Sequence, residues 1–171
     1  MHRTSRIVIT EVVFANSYDG NYTVLDHASD IQELILRLPG GYDFPLLTFN
    51  AFATYESDQH DSPSIMIGDG YFAFQRATGL GSEGPEYALA HEHAHHLQSA
   101  LGPHDEGSDD SREGARRKEL MADAFAAYFL AHDGGGDMTG EEMANVHDAA
   151  YSVGDCEVGN DGHHGTPRER R

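Results

Sequence analysis

Residues 91–98 read His-Glu-His-Ala-His-His-Leu-Gln, and within that run His91-Glu92-His93-Ala94-His95 satisfies the pattern H-E-x-x-H. On an α-helix, positions i and i+4 lie on one face, so the imidazoles of His91 and His95 converge on a single ion. Glu92 projects about 100° away, beside the ion rather than onto it, where a general base for a metal-activated water has to stand. In a chain of this composition, chance delivers the pattern only about 0.06 times. A His-rich solvated helix face is the ordinary alternative. Yet His91 and His95 border the apolar residues Tyr87 and Ala94, which a solvated face does not require.

A catalytic zinc takes three protein ligands and leaves a fourth position for water. The third is sought in Glu119-Leu120-Met121-Ala122-Asp123, 24 residues beyond His95, a loop-plus-helix return distance. Glu119 and Asp123 share a helix face, and like charges at this spacing repel on a bare helix. Their pairing makes sense if Glu119 binds a cation and Asp123 accepts the free N–H of a ligand histidine. A solvated acidic face is the alternative here too. The small residues Ala122, Ala126 and Ala127 would let this helix approach the histidine helix closely.

Taken together, HEHAHHLQ and the later KELMADAFAAYFLAH (118–132) resemble the HExGHHVQ and ELQADCFAG signatures of the neutral zinc metallopeptidases, a bacterial branch of the zincin superfamily. SIMIGDGYFAF (64–74) is similar to the strand and Asp-x-x-Phe-Phe segment preceding the helix in that family. MTGEEMANVHDAAYSVGD (138–155) resembles its acidic-start helix, and His164-Gly165-Thr166 its His-Gly-Thr motif, with Arg170 near a downstream Gln-Arg. The resemblance covers roughly 64–171, with the motifs in the same order. It implies one zinc per chain held by His91, His95 and Glu119, with Glu92 as general base and Asp123 behind a ligand histidine. His96 is similar to the second histidine of the family's HH pair, implying hydrogen bonding behind the ligands or helix packing. His164 would donate to the oxyanion of a tetrahedral intermediate. Ala94 and Ala124 stand where the family pattern has Gly and Cys, and the family's N-terminal membrane anchor has no counterpart.

Positioning these groups requires two helices. In 83–101, Tyr87, Ala90, Ala94, Leu97 and Leu101 form a stripe at helical spacing, stopped by Gly102-Pro103. A second helix is expected over 112–131 with Leu120, Met121, Ala124, Phe125 and Tyr128 on its apolar stripe, across an acidic loop at 102–111. Thr139 and Glu142 form a capping box that starts a third helix ending near Gly154. Upstream, strands are expected at 6–14, 45–53 and 64–70, a short helix around Ile31, Leu34, Ile35 and Leu38, and a loop over 55–63. Residues 71–77 read as a helical turn, and the segment from Asp155, with His163 and His164, as a polar tail. His93, His104, His132 and His147 read as surface or capping residues, and Cys156 as a bystander.

The length of 171 residues fits one domain, with a region 1–63 and the family-like region 64–171. With 29 Asp+Glu against 11 Lys+Arg, the net charge of −18 repels phosphate backbones and anionic membrane surfaces, so neither nucleic acid nor membrane is expected as a partner. A single cysteine cannot form an internal bridge, and no apolar run of about 18 residues is present. The default expectation is a cytoplasmic location; oligomeric state has no signature in the sequence. The expected fold is α+β and zincin-like: a small mixed sheet packed with the HExxH helix and the glutamate-bearing helix. In such a layout 64–70 would be the edge strand pairing with an extended substrate. The expected activity is hydrolysis of peptide bonds. A zinc-dependent small-molecule amidase or tailoring enzyme, or a non-catalytic zinc-binding module, are the alternatives.

Overall fold

A computed structural model describes residues 11–15, 49–54, 64–101, 111–160 and 163–171. The helix expected near 31–38, the loops over 55–63 and 102–110, and His104 lie outside the described residues. Three strands, β1 (Glu11–Ala15), β2 (Ala51–Thr54) and β3 (Ser64–Gly68), form a mixed sheet in the order β1-β3-β2. β1 runs parallel to β3 and β2 antiparallel to it.

That order overturns the expectation of an edge strand at 64–70. β3 is central: it pairs on both sides, leaving its backbone no free direction for a substrate. All five of its residues are buried, Ile65, Met66 and Ile67 almost completely. An unbroken apolar run of this kind marks a strand covered on both faces. Among the described residues, β2 is the strand with a free edge near the helices.

The chain passes directly from β3 into α1 (Asp69–Ala77), a full helix where only a turn was expected. Next come α2 (Glu83–Leu101), α3 (Arg112–Ala131), α4 (Gly140–Ser152) and α5 (Pro167–Arg170). The Ser111 hydroxyl caps α3 by accepting from the Gly114 N–H at 3.1 Å, and the Thr139–Glu142 capping box starts α4. None of these helices is long and apolar enough to cross a membrane.

α2 is the element that both parts of the core share. Its Tyr87 packs with Leu80, Ala126, Leu130, Val146, Ala149 and Ala150 between the helices. The next residue, Ala88, packs with Ile65, Ile67 and Tyr71 on the sheet side. A helix enclosed from two sides buries polar residues too, and His91, Glu92, His96 and Gln98 are all buried. The predicted stripe holds in part: Tyr87 and Ala94 are buried, whereas Leu101 is exposed.

On α3 the expected apolar stripe is wrong. The buried face is Gly114, Ala122, Asp123, Ala126 and Leu130, whereas Ala124 and Tyr128 are exposed and Leu120, Met121 and Phe125 half-buried. Small side chains win this face because they allow α3 to lie close against α2, which larger ones would prevent. The expected polar tail is also corrected. Residues 163–171 fold back as a short helix whose Arg170 is buried, and His163 is buried as well. Gly165, at φ 103°, makes the bend that a Cβ would strain.

Gly154 permits this return, since a Cβ there would lie 2.5 Å from the Pro167 nitrogen. Gly154→Ala is expected to cost about 1–3 kcal/mol in chemical denaturation, by pushing two backbones apart. Gly140→Ala, with open space around the added carbon, is expected to change stability by less than about 1 kcal/mol.

Candidate metal centre

One helical turn separates His91 from His95, and their rings meet edge to face with centroids 4.8 Å apart. Their Nε2 atoms are 3.2 Å from each other. From α3, Glu119 places Oε2 3.2 Å from the His91 Nε2 and Oε1 3.5 Å from the His95 Nε2. His91, His95 and Glu119 form a possible metal site: with one ligand atom taken from each, the three lie within 4.8 Å of one another, and the two short approaches to the histidines come from different Glu119 oxygens.

Hydrogen bonds on the far sides of the rings decide which nitrogens face that point. The His91 Nδ1 lies 2.8 Å from Asp123 Oδ1. Asp123 sits well below the usual carboxylate range, at about 2: burial opposes its charge, but hydrogen bonds from His91 and Arg170 outweigh that penalty. An ionised carboxylate only accepts, so the His91 Nδ1 carries the proton. The His95 Nδ1 lies 2.9 Å from Gln98 Oε1. The amide orientation is fixed because the Gln98 Nε2 donates to the Lys118 carbonyl at 2.7 Å, leaving only the oxygen for His95. In their neutral forms both rings thus aim an Nε2 lone pair at one point, opposite a carboxylate.

Three acceptors facing one another require a positive charge between them. Without a metal, a proton on His91 serves: burial pushes its basicity down, but hydrogen bonds to Asp123 and Glu119 prevail and raise its pKa to about 9. Glu119 is held low, since the pull of His91, His95 and His164 outweighs its burial. His95 is lowered, by burial first. Glu92 moves the other way, to about 7, because burial and the charge of Glu119 outweigh His91 and a hydrogen bond from the Ala53 backbone on β2.

Asp123 lies behind the cluster against His91, whereas His164 is exposed and near enough to Glu119 to act on its charge. His96 is buried on α2, where its Nε2 donates 2.9 Å to the Thr54 carbonyl and so packs α2 against β2. His163 pairs with Asp155 at 2.5 Å, and the His164 backbone donates to the same carboxylate at 3.1 Å. His93 is half-buried, His147 exposed, and His132 caps α3 at the surface; Cys156 is exposed.

Three participants lie outside H-E-x-x-H itself: Gln98 closes the longer HEHAHHLQ run, Arg170 stands near the resemblance's Gln-Arg, and Tyr87 belongs to neither. Gln98 follows His95 by three residues and Tyr87 precedes His91 by four, so both share the ligand face by helical spacing alone. Tyr87 donates to Asp123 Oδ1 at 2.5 Å. Arg170 reaches Asp123 from 47 residues away, with no local spacing to reveal it. Protein-family models, curated proteins and solved structures yield no match to this chain.

Burial of Glu92 gives a testable pH dependence in the metal-free protein. Its folded pKa of about 7 lies above the free value of 4.5, so its contribution to stability is full below about 4.5 and lost as pH rises through about 7. Metal-free Glu92→Gln, which cannot ionise, is expected to be more stable than wild type at pH 8 by up to about 3 kcal/mol. The two should converge towards pH 4 in thermal melts run across that range.

Proposed function

We propose that the protein is a zinc-dependent metallopeptidase in which His91, His95 and Glu119 hold the metal and Glu92 serves as general base. The observation that carries this reading is the convergence of two imidazole lone pairs and a carboxylate on one point, with a buried carboxyl next to His91 in sequence. Imidazole and carboxylate donors suit zinc, and a three-residue set leaves a coordination position open, as catalytic sites do. A site serving structure alone has no need of Glu92, whose ionisation in this pocket works against folding.

Zinc, when bound, supplies Lewis acidity, polarising a carbonyl and making water acidic near neutral pH. The protein's own groups do the rest. Glu92, poised near neutrality, takes a proton from the attacking water and delivers it to the leaving amine nitrogen. Asp123 keeps the His91 proton on Nδ1, so that Nε2 stays available. His164, exposed near Glu119, donates to the oxygen on which negative charge develops. With β3 paired on both sides, β2 is the strand along which an extended peptide would lie, and its Ala53 backbone already touches Glu92.

Zinc-loaded wild type is expected to cleave casein or a peptide library, and Glu92→Gln to lose roughly a hundredfold to ten-thousandfold in turnover while keeping its zinc. Cleavage of a small-amide panel with peptides untouched would shift the reading to a small-molecule amidase. His164→Ala is expected to lose about a hundredfold to a thousandfold in kcat with zinc content unchanged. Unchanged turnover would remove His164 from the mechanism.

A further inference from the structure

The buried guanidinium of Arg170 has no role in the reading above. It arrives on the chain segment that folds back over α3, and its fork meets the Asp123 carboxylate squarely: Nε to Oδ2 at 3.0 Å and Nη2 to Oδ1 at 3.0 Å. The same Nη2 lies 3.2 Å from the Tyr87 hydroxyl and 3.8 Å from Glu119 Oε2. Asp123 Oδ1 in turn receives the His91 Nδ1–H, the Tyr87 O–H and the Arg170 Nη2–H.

We infer that Arg170 is a positioning residue for the metal site: by clamping Asp123 through two parallel hydrogen bonds, it sets the direction of the His91 Nε2 lone pair. The inference rests on the proposed metal centre. A carboxylate held at one oxygen can still swing about its Cβ–Cγ bond, but a bidentate guanidinium fixes its plane. With that plane fixed, Oδ1 holds Nδ1 at 2.8 Å and the ring cannot rotate, so Nε2 stays on the point shared with His95 and Glu119. The proximity to Glu119 lets one cation steady both carboxylates, the one that faces the metal and the one behind it.

The segment is anchored independently of that fork, as a positioning group demands. The Arg116 Nη1 reaches Glu169 Oε1 at 2.7 Å, the Asp155 N–H donates to the Gly165 carbonyl at 3.0 Å, and Arg171 pairs with Asp148 at 3.3 Å. Replacing Arg170 therefore removes the clamp while leaving the ties that hold the segment in place. Lysine keeps the charge but cannot span both carboxylate oxygens, so it separates charge from geometry.

The test is zinc affinity by chelator competition for wild type, Arg170→Lys and Arg170→Gln, with Ile65→Ala as a destabilised control in the sheet core. Cobalt absorption spectra report ligand geometry, and circular dichroism reports folding. Arg170→Gln is expected to bind zinc roughly ten- to a hundredfold more weakly with altered cobalt bands, and Arg170→Lys to fall between it and wild type. Ile65→Ala is expected to melt lower with zinc affinity unchanged. The inference is overturned if Arg170→Gln, or Arg170→Lys where the former does not fold, binds zinc within about twofold of wild type with an unaltered cobalt spectrum. Equal weakening in Ile65→Ala overturns it as well, by reducing Arg170 to general stability. Absence of zinc binding in wild type would instead overturn the metal centre itself.

Discussion

Two imidazole nitrogens and a carboxylate face one another at 3.2–3.5 Å inside the helical layer, and hydrogen bonds behind the rings aim lone pairs at their common point. Such a cluster repels itself until a cation or a proton occupies it. Much of the surrounding structure can be understood as holding that unfavourable arrangement in place. Asp123 and Gln98 fix the tautomers, the Lys118 carbonyl fixes Gln98, and Tyr87 and Arg170 fix Asp123.

Burying so many polar groups succeeds because they are bonded to one another, since a buried charge without a partner costs several kcal/mol. Close approach of α2 and α3 is the precondition. It is met by Ala122 and Ala126, which are almost wholly buried on the same face of α3 as Asp123. The sheet contributes from the other side: β2 meets Glu92 through Ala53 and His96 through Thr54, which locks the rotation of α2 about its axis. The return of residues 163–171, permitted by Gly154 and Gly165, brings the Arg170 guanidinium into this network.

Local periodicity made the helices legible. The bounds read for 83–101 and 112–131 coincide with α2 and α3, and the Thr139–Glu142 capping box marks the start of α4. The spacing of His91, His95, Glu119 and Asp123 likewise foretold which side chains would share faces. The close approach of α3 through Ala122 and Ala126 was legible from their small size. The burial of Leu130 in preference to Leu120, Phe125 and Tyr128 was not, because it depends on how near a neighbouring helix comes, which hydrophobicity alone does not encode. SIMIG carried its own correction, because five consecutive buried residues suit a central strand and not an edge. His163 and Arg170 lie in a polar, glycine-rich stretch whose sequence gives no sign that ion pairs fold it inward.

The central claim is that the cluster exists to hold a divalent metal. The most direct test is elemental mass spectrometry of protein reconstituted with zinc at neutral pH and freed of excess metal, for wild type, Glu92→Gln and Glu119→Ala. One zinc per chain in wild type and Glu92→Gln, with zinc lost from Glu119→Ala, is the predicted result. Wild type that retains no zinc would contradict the account, leaving a protonated His91 between two carboxylates as the cluster's resting form.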